Sequence, residues 1–213
     1  MRDVIFTAAC KPPGGGANEV SPRLFRHFHM CWVPQLSNAS ATRIFVEILG
    51  GFFAETMPDM KALAEPLVAA SVKIYERVQS ELLPTPAKSH YTFNLRDLSK
   101  VAQGVLMITP KHAGGKEGIL KLWCHEEQRV FRDRLISVED RDWFNLALKD
   151  SLLYNMSVTW EVDDFAQILY GDYTDRDDKV YKVRAAAVCV ALVVATAVGH
   201  LRPTLSPPPR PPL

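Results

Sequence analysis

The chain has 213 residues, 47% apolar and 23% charged, with a formal net charge of +1. That is enough apolar material for one medium domain or two small ones, and it excludes a disordered chain, a collagen-like repeat and a disulfide scaffold. With Lys and Arg at 25 against 24 acids, no field of one sign exists to capture nucleic acid or a membrane surface.

The first predicted element is a buried strand over Val4–Cys10, short, β-branched and aromatic, with no turn residue until Lys11. Lys11 to Pro22 (KPPGGGANEVSP) is too rich in Pro and Gly for a regular element and reads as a loop. Ser21 and Pro22 then offer an N-cap and a first helical residue for a short helix RLFRHF. A strand-like run at His29–Val33 follows. From Ser40 or Thr42 the period turns helical, through Ile44, Phe45, Ile48, Leu49 and Phe52. A helix from Pro58 to about Leu83 carries Leu63, Leu67, Ala70, Ile74 and Val78 on one face, with Pro66 as a point of kinking or splitting.

Asn94 caps LRDLSKVAQGVLM, and Ile108–Glu117 is a glycine-bearing turn. A long helix then carries Ile119, Leu122, Trp123, Val130 and Phe131, and another spans Asp140–Leu153. Asp163–Tyr173 is ambiguous, and TDRDD reads as a solvated turn. The apolar run 185–198 has 14 residues, short of the roughly 20 that a spanning helix needs, and a proline-rich tail follows it.

Few of the chemical motifs are specific. The four cysteines are scattered without CxxC or CxxH spacing, so a reduced intracellular chain without a structural metal is expected. PPGGG lacks GxxxxGK[ST], which occurs nowhere in the chain. Arg23 and Arg26, three apart, share a helix face; phosphate binding and a solvated basic face both fit them. Arg96 falls in the first turn of the helix that Asn94 caps, where a cation opposes the macrodipole by about 0.3–1 kcal/mol unless an anion answers it. Asp97 and a bound phosphate are both candidates for that anion. HEEQRVFRDR (His125–Arg134) lacks the second histidine of HExxH and reads as a salt-bridged exposed face. No serine stands in a GxSxG context.

Four blocks taken in order carry a stronger signal: AACKPPGGGANEVSPRLFRHF, LLPTPAKSHYTFNLRDLSKVAQGVL, LWCHEEQRVFRDRLI and DRDWF. Together they resemble dynein heavy chains, and within those the third AAA+ module of the axonemal group, from about Asp3 to about Asp178. The resemblance implies a mainly α fold: a helical AAA+ lid bundle preceded by a remnant, one or two strands, of the α/β AAA+ core. It divides the chain into the core remnant (1–35), lid helices (36–112), a helical extension toward the next module (113–183) and a tail outside the resemblance (184–213).

The implied function is a piece of an ATP-driven microtubule motor that senses nucleotide and relays its state between ring modules. Arg26 matches the arginine finger that reaches the preceding module's nucleotide. Arg96 matches the second sensor, aimed at this module's own γ-phosphate. Lys11 stands at the first-sensor position, where asparagine is usual. Ala17 and Glu19 replace an arginine and a proline that the family carries in this loop. The P-loop and the magnesium-holding acidic strand lie upstream of this segment in the family, so no catalytic set is complete here and no hydrolysis by the chain alone is expected.

ATP or ADP with Mg²⁺ belongs to the intact motor, and none is expected to bind tightly to this segment. The implied partners are the remaining AAA+ modules, the dynein complex and, indirectly, microtubules, with no nucleic acid and no membrane. The implied location is the cytoplasm, in the ciliary or flagellar axoneme. The alternative is a non-catalytic helical interaction protein derived from a truncated dynein gene.

Overall fold

Local sequence sets the first helix. Ser21 accepts the Arg23 N–H at 3.3 Å, and Pro22, which has no N–H to satisfy, takes the first position of α1 (Pro22–Phe25). The computed structural model describes residues 4–10, 19–34, 36–166, 168–172 and 180–184. The chain divides into two units, Met1–Leu36 and Ser37–Leu213.

In the first unit the expected strands are not formed. Val4–Cys10 and His29–Val33 have extended or irregular backbone, no strand pairs with either among the described residues, and Ile5 is 90% and Val33 82% exposed. A β-branched run becomes a strand only when a neighbour takes its backbone groups and covers its side chains. The expected helix RLFRHF shortens to the four residues of α1, after which Phe28 N donates to Phe25 O in a closing turn.

The second unit is helical. Ser37 caps α2 (Asn38–Thr56), accepting the Ser40 N–H at 3.2 Å. A 3-10 turn, Pro58–Leu63, leads into α3 (Ala64–Glu81). The single helix expected from Pro58 is thus divided before Pro66, which falls in the first turn of α3, where its missing N–H costs nothing. Next come α4 (Leu95–Leu106), α5 (Gly115–Val130), α6 (Val138–Met156) and α7 (Val162–Ala166). Gly114 turns the chain into α5 with φ +64°, a left-handed backbone that glycine adopts without a Cβ penalty.

A two-stranded antiparallel hairpin closes the unit, β1 (Leu169–Gly171) against β2 (Lys182–Arg184), with Tyr170 opposite Val183. The mainly helical fold with a small strand element is therefore present, but the paired strands follow the helices.

Helix α2 packs on α3, α3 on α6, and α4 on α5. Helix α5 is central, buried from Leu122 through Gln128 without a break. This corrects the reading of HEEQRVFRDR as an exposed face: His125, Glu126, Glu127 and Gln128 are all buried, Glu126 and Glu127 at 0% exposure. Periodicity and charge place such a run outside. Here α4, α7, β1 and the 3-10 turn at 58–63 cover α5, and each buried charge needs a partner or must lose its charge. Glu126 takes the first route, accepting Arg129 Nε and Nη2 at 2.8 and 2.6 Å and the Tyr181 hydroxyl. Glu127 takes the second. Burial pushes its carboxyl up to about 8, Ser71 pulling back somewhat and Glu126 adding to the rise.

Among the described residues no helix is long and apolar enough to cross a membrane. The apolar run 185–198, the TDRDD turn and the proline-rich tail lie outside the described residues.

Candidate functional site

The site is built on the start of α4. Asn94 has extended backbone, accepts the Arg96 N–H at its Oδ1 (2.9 Å), and donates its own N–H to Asp97 Oδ2 (3.1 Å). This reciprocal capping box satisfies two of the amides that a helix start leaves open, and it fixes the first turn. Asp97, expected only as a local counter-charge, is buried at 5% side-chain exposure and gathers further partners. Lys100 Nζ lies 3.3 Å from Oδ1 and Arg134 Nη1 3.1 Å from Oδ2. Burial alone would raise the Asp97 carboxyl, but Asn94, Lys100 and Arg134 outweigh it and hold it below the usual carboxylate value.

Arg96 stands beside this ion cluster without joining it. Its side chain is exposed and makes no hydrogen bond or ion pair among the described residues. Asp97 is taken up by Asn94, Lys100 and Arg134. The guanidinium of Arg96, projecting from a fixed turn, is thus available to an external anion. A phosphoryl oxygen suits it in charge and in donor geometry. Among the described residues no group of three or more His, Cys, Asp or Glu is placed to hold a metal ion.

The segment ahead of α4 is also held by the end of α5 and by α6. Tyr91, Phe93, Phe131 and Phe144 form a chain of rings with successive centroids 6.1, 5.9 and 6.2 Å apart, linking that segment to the end of α5 and to α6. The Tyr91 hydroxyl donates to Asp140 Oδ2 at 2.8 Å and accepts the Ile136 N–H at 2.9 Å. Lys88 Nζ meets the same Asp140 oxygen at 2.5 Å. None of these long-range ties shows in the sequence, although Tyr91 and Phe93 of HYTF and Phe131 of VFRDR make several of them.

Arg26 lies in the first unit, exposed, just after α1, its Nε donating to His27 Nε2 at 3.1 Å. Lys11 and the PPGGG loop lie outside the described residues.

Comparison with known proteins settles the family. Residues 49–141, which hold the C-terminal part of α2, all of α3 to α5 and the start of α6, match the dynein heavy chain ATPase lid domain. The chain carries a dynein heavy-chain lid. Residues 1–36 match the P-loop containing dynein motor region. Human dynein axonemal heavy chain 6 is 43% identical over 187 residues, covering 85% of this chain, and human dynein axonemal heavy chain 1 is 46% identical over 188 residues, covering 80%. The dynein-1-beta heavy chain of the flagellar inner arm I1 complex of Chlamydomonas reinhardtii is 40% identical over 152 residues, 71% of this chain. The chain spans 4% of the length of each of the two human proteins and 3% of the algal one. In this dynein lid, Arg96 and its capping box sit at the start of α4.

Proposed function

We propose that the chain is the lid-bearing part of the third AAA+ module of an axonemal dynein heavy chain, and that it senses nucleotide within an ATP-driven microtubule motor. The observation that carries this reading is the unpaired guanidinium of Arg96, fixed by a complete capping box within a matched dynein lid. Arg96 acts as the second sensor. In the absence of nucleotide its charge opposes the α4 macrodipole by about 0.3–1 kcal/mol, and a γ-phosphoryl group reverses that opposition by meeting both the guanidinium and the positive helix end. A lid whose charged tip favours ATP over ADP closes when ATP is present.

Arg26 acts as the arginine finger toward the preceding module's nucleotide, and Lys11 occupies the first-sensor position. Residues 1–35 are then the core remnant, 36–112 the lid helices, 113–183 the extension toward the next module and 184–213 the tail. The remaining AAA+ modules are the direct partners and microtubules the indirect one, in the ciliary or flagellar axoneme. Nucleotide bound at one module alters the next only if both ligands bias the same lid movement.

The test is Arg96→Ala in a complete heavy-chain motor carrying this segment. ATP-dependent lid closure should weaken, with loss of the preference for ATPγS over ADP at this module. Unchanged closure and unchanged discrimination would refute the reading.

A second reading, a non-catalytic interaction protein, draws on the apolar side chains that the first unit leaves exposed, Phe6 and Trp32 among them. A verified translation start at Met1 would favour it, and an open reading frame running upstream into a GK[ST] loop would favour the motor.

A further inference from the structure

Arg134 makes more defining contacts than any residue of the α4 turn itself. It lies in the short 3-10 turn Arg132–Arg134 between α5 and α6. Its Nη1 pairs with Asp97 Oδ2 at 3.1 Å, and that same oxygen accepts the Asn94 N–H. Its Nη2 donates to two carbonyls on the approach to α4, His90 O at 3.2 Å and Thr92 O at 3.0 Å. The guanidinium carbon sits 4.8 Å from the centre of the Phe93 ring. Even its backbone takes part, as Arg134 O accepts a ring N–H of His90 at 3.0 Å. One side chain therefore grips three consecutive features: the incoming strand of chain, the ring that seats it, and the acid that closes the capping box.

Resting on the sensor reading of Arg96, we propose that Arg134 is the positioning residue for that sensor. Through it the α5–α6 junction sets the direction in which Arg96 points. Arg96 precedes Asp97 by one residue, so any shift of the Asp97 carboxylate or of the 90–93 segment turns the first helical turn and swings the guanidinium. The planar fork matters here. A lysine at this position could pair with Asp97, but it could not also hold two carbonyls in a fixed plane against a ring. Movement of α6 relative to α4 would act on the sensor through the same contacts, because Tyr91 and Lys88, on the same incoming segment, are bonded to Asp140 of α6.

The test uses a complete heavy-chain motor carrying this segment, with ATPγS and ADP as probes. Hydrogen exchange of residues 90–100 reports the local apparent affinity for each nucleotide. Arg134→Ala should reduce the preference for ATPγS over ADP by about 10- to 100-fold, the size of effect a small misplacement of a reacting group produces. Arg134→Lys should restore it only in part. In the double variant Arg96→Ala, Arg134→Ala, the loss should be no larger than for Arg96→Ala alone, since no sensor is left to position.

A purely structural role would weaken both nucleotides alike, or add to the loss from Arg96→Ala, and either result overturns the proposal. If Arg134→Ala fails to fold, Arg134→Lys decides: a nucleotide preference equal to the parent's overturns the proposal, and a partial loss supports it. Unchanged preference in Arg96→Ala would instead sink the sensor reading itself, a separate outcome.

Discussion

Gly104 on α4 faces the carboxylate of Glu126 on α5, and the pair offers a sharp energetic test of the buried charge. A Cβ built at Gly104 would lie 2.7 Å from Glu126 Cγ and nearer still to Cδ and Oε2. In an open helix, Gly→Ala would stabilise by about 1 kcal/mol through helix propensity. Here Glu126 has no room to yield. It is fully buried, clamped by Arg129 through two hydrogen bonds and by the Tyr181 hydroxyl.

Overpacking of this kind costs about 1–3 kcal/mol, and driving the carboxylate off its partners costs about 3–5 kcal/mol. The cheaper adjustment governs, so Gly104→Ala should destabilise by about 1–3 kcal/mol. For a chain of this size that is a Tm drop of about 2–4 °C per kcal/mol. Urea denaturation followed by helical circular dichroism measures the change. In a Glu126→Ala background the obstacle is gone, and Gly104→Ala should become neutral or stabilise by up to about 1 kcal/mol. Gly104→Ala stabilising the parent protein, or destabilising equally in both backgrounds, would refute the close packing of this glycine on a fixed carboxylate.

Glu127 predicts a pH dependence. Its folded pKa of about 8 lies above the ordinary value of 4.5, so the folded chain binds the proton more tightly and stability falls as pH rises through that interval. His125, held below its usual 6.5 chiefly by burial, gives the opposite slope below that value, leaving pH 6.5 to 8 as the clear window. The urea midpoint should fall across this window in the parent and stay level in Glu127→Gln; equal slopes would contradict a neutral buried Glu127. Tyr181→Phe should remove the hydroxyl that Glu126 accepts, at a cost of about 1.5–3 kcal/mol for a bond to a charged group. Hydrogen exchange at Leu169–Gly171 should accelerate in that variant, and unchanged protection there would show that the hairpin is held by other contacts.

The parts of the fold legible in the sequence were those governed by neighbours along the chain. Asn94 announced a helix start, and Pro66 announced a break near α3. Apolar spacing located α2, α5 and α6. What escaped was set by neighbours distant in sequence. Val4–Cys10 has the composition of a strand, yet no strand pairs with it among the described residues. Glu126 and Glu127 sit in a charged run that looks solvated, and only the covering of α5 by several elements shows them to be interior. At the candidate site, Arg96 was legible through its position in the first turn. Arg134 was not, because its partners lie 37 to 44 residues earlier, and nothing in RVFRDR marks which arginine turns inward.

The central claim is that the Arg96 guanidinium meets phosphoryl charge. The most direct measurement is a high-resolution structure of a complete heavy-chain motor carrying this segment, with ATPγS bound at this module. The account predicts a guanidinium nitrogen about 3 Å from a γ-phosphoryl oxygen, the distance of a charge-assisted hydrogen bond, with the Arg134–Asp97 pair intact behind it. A guanidinium directed into solvent while the nucleotide is fully occupied would contradict it.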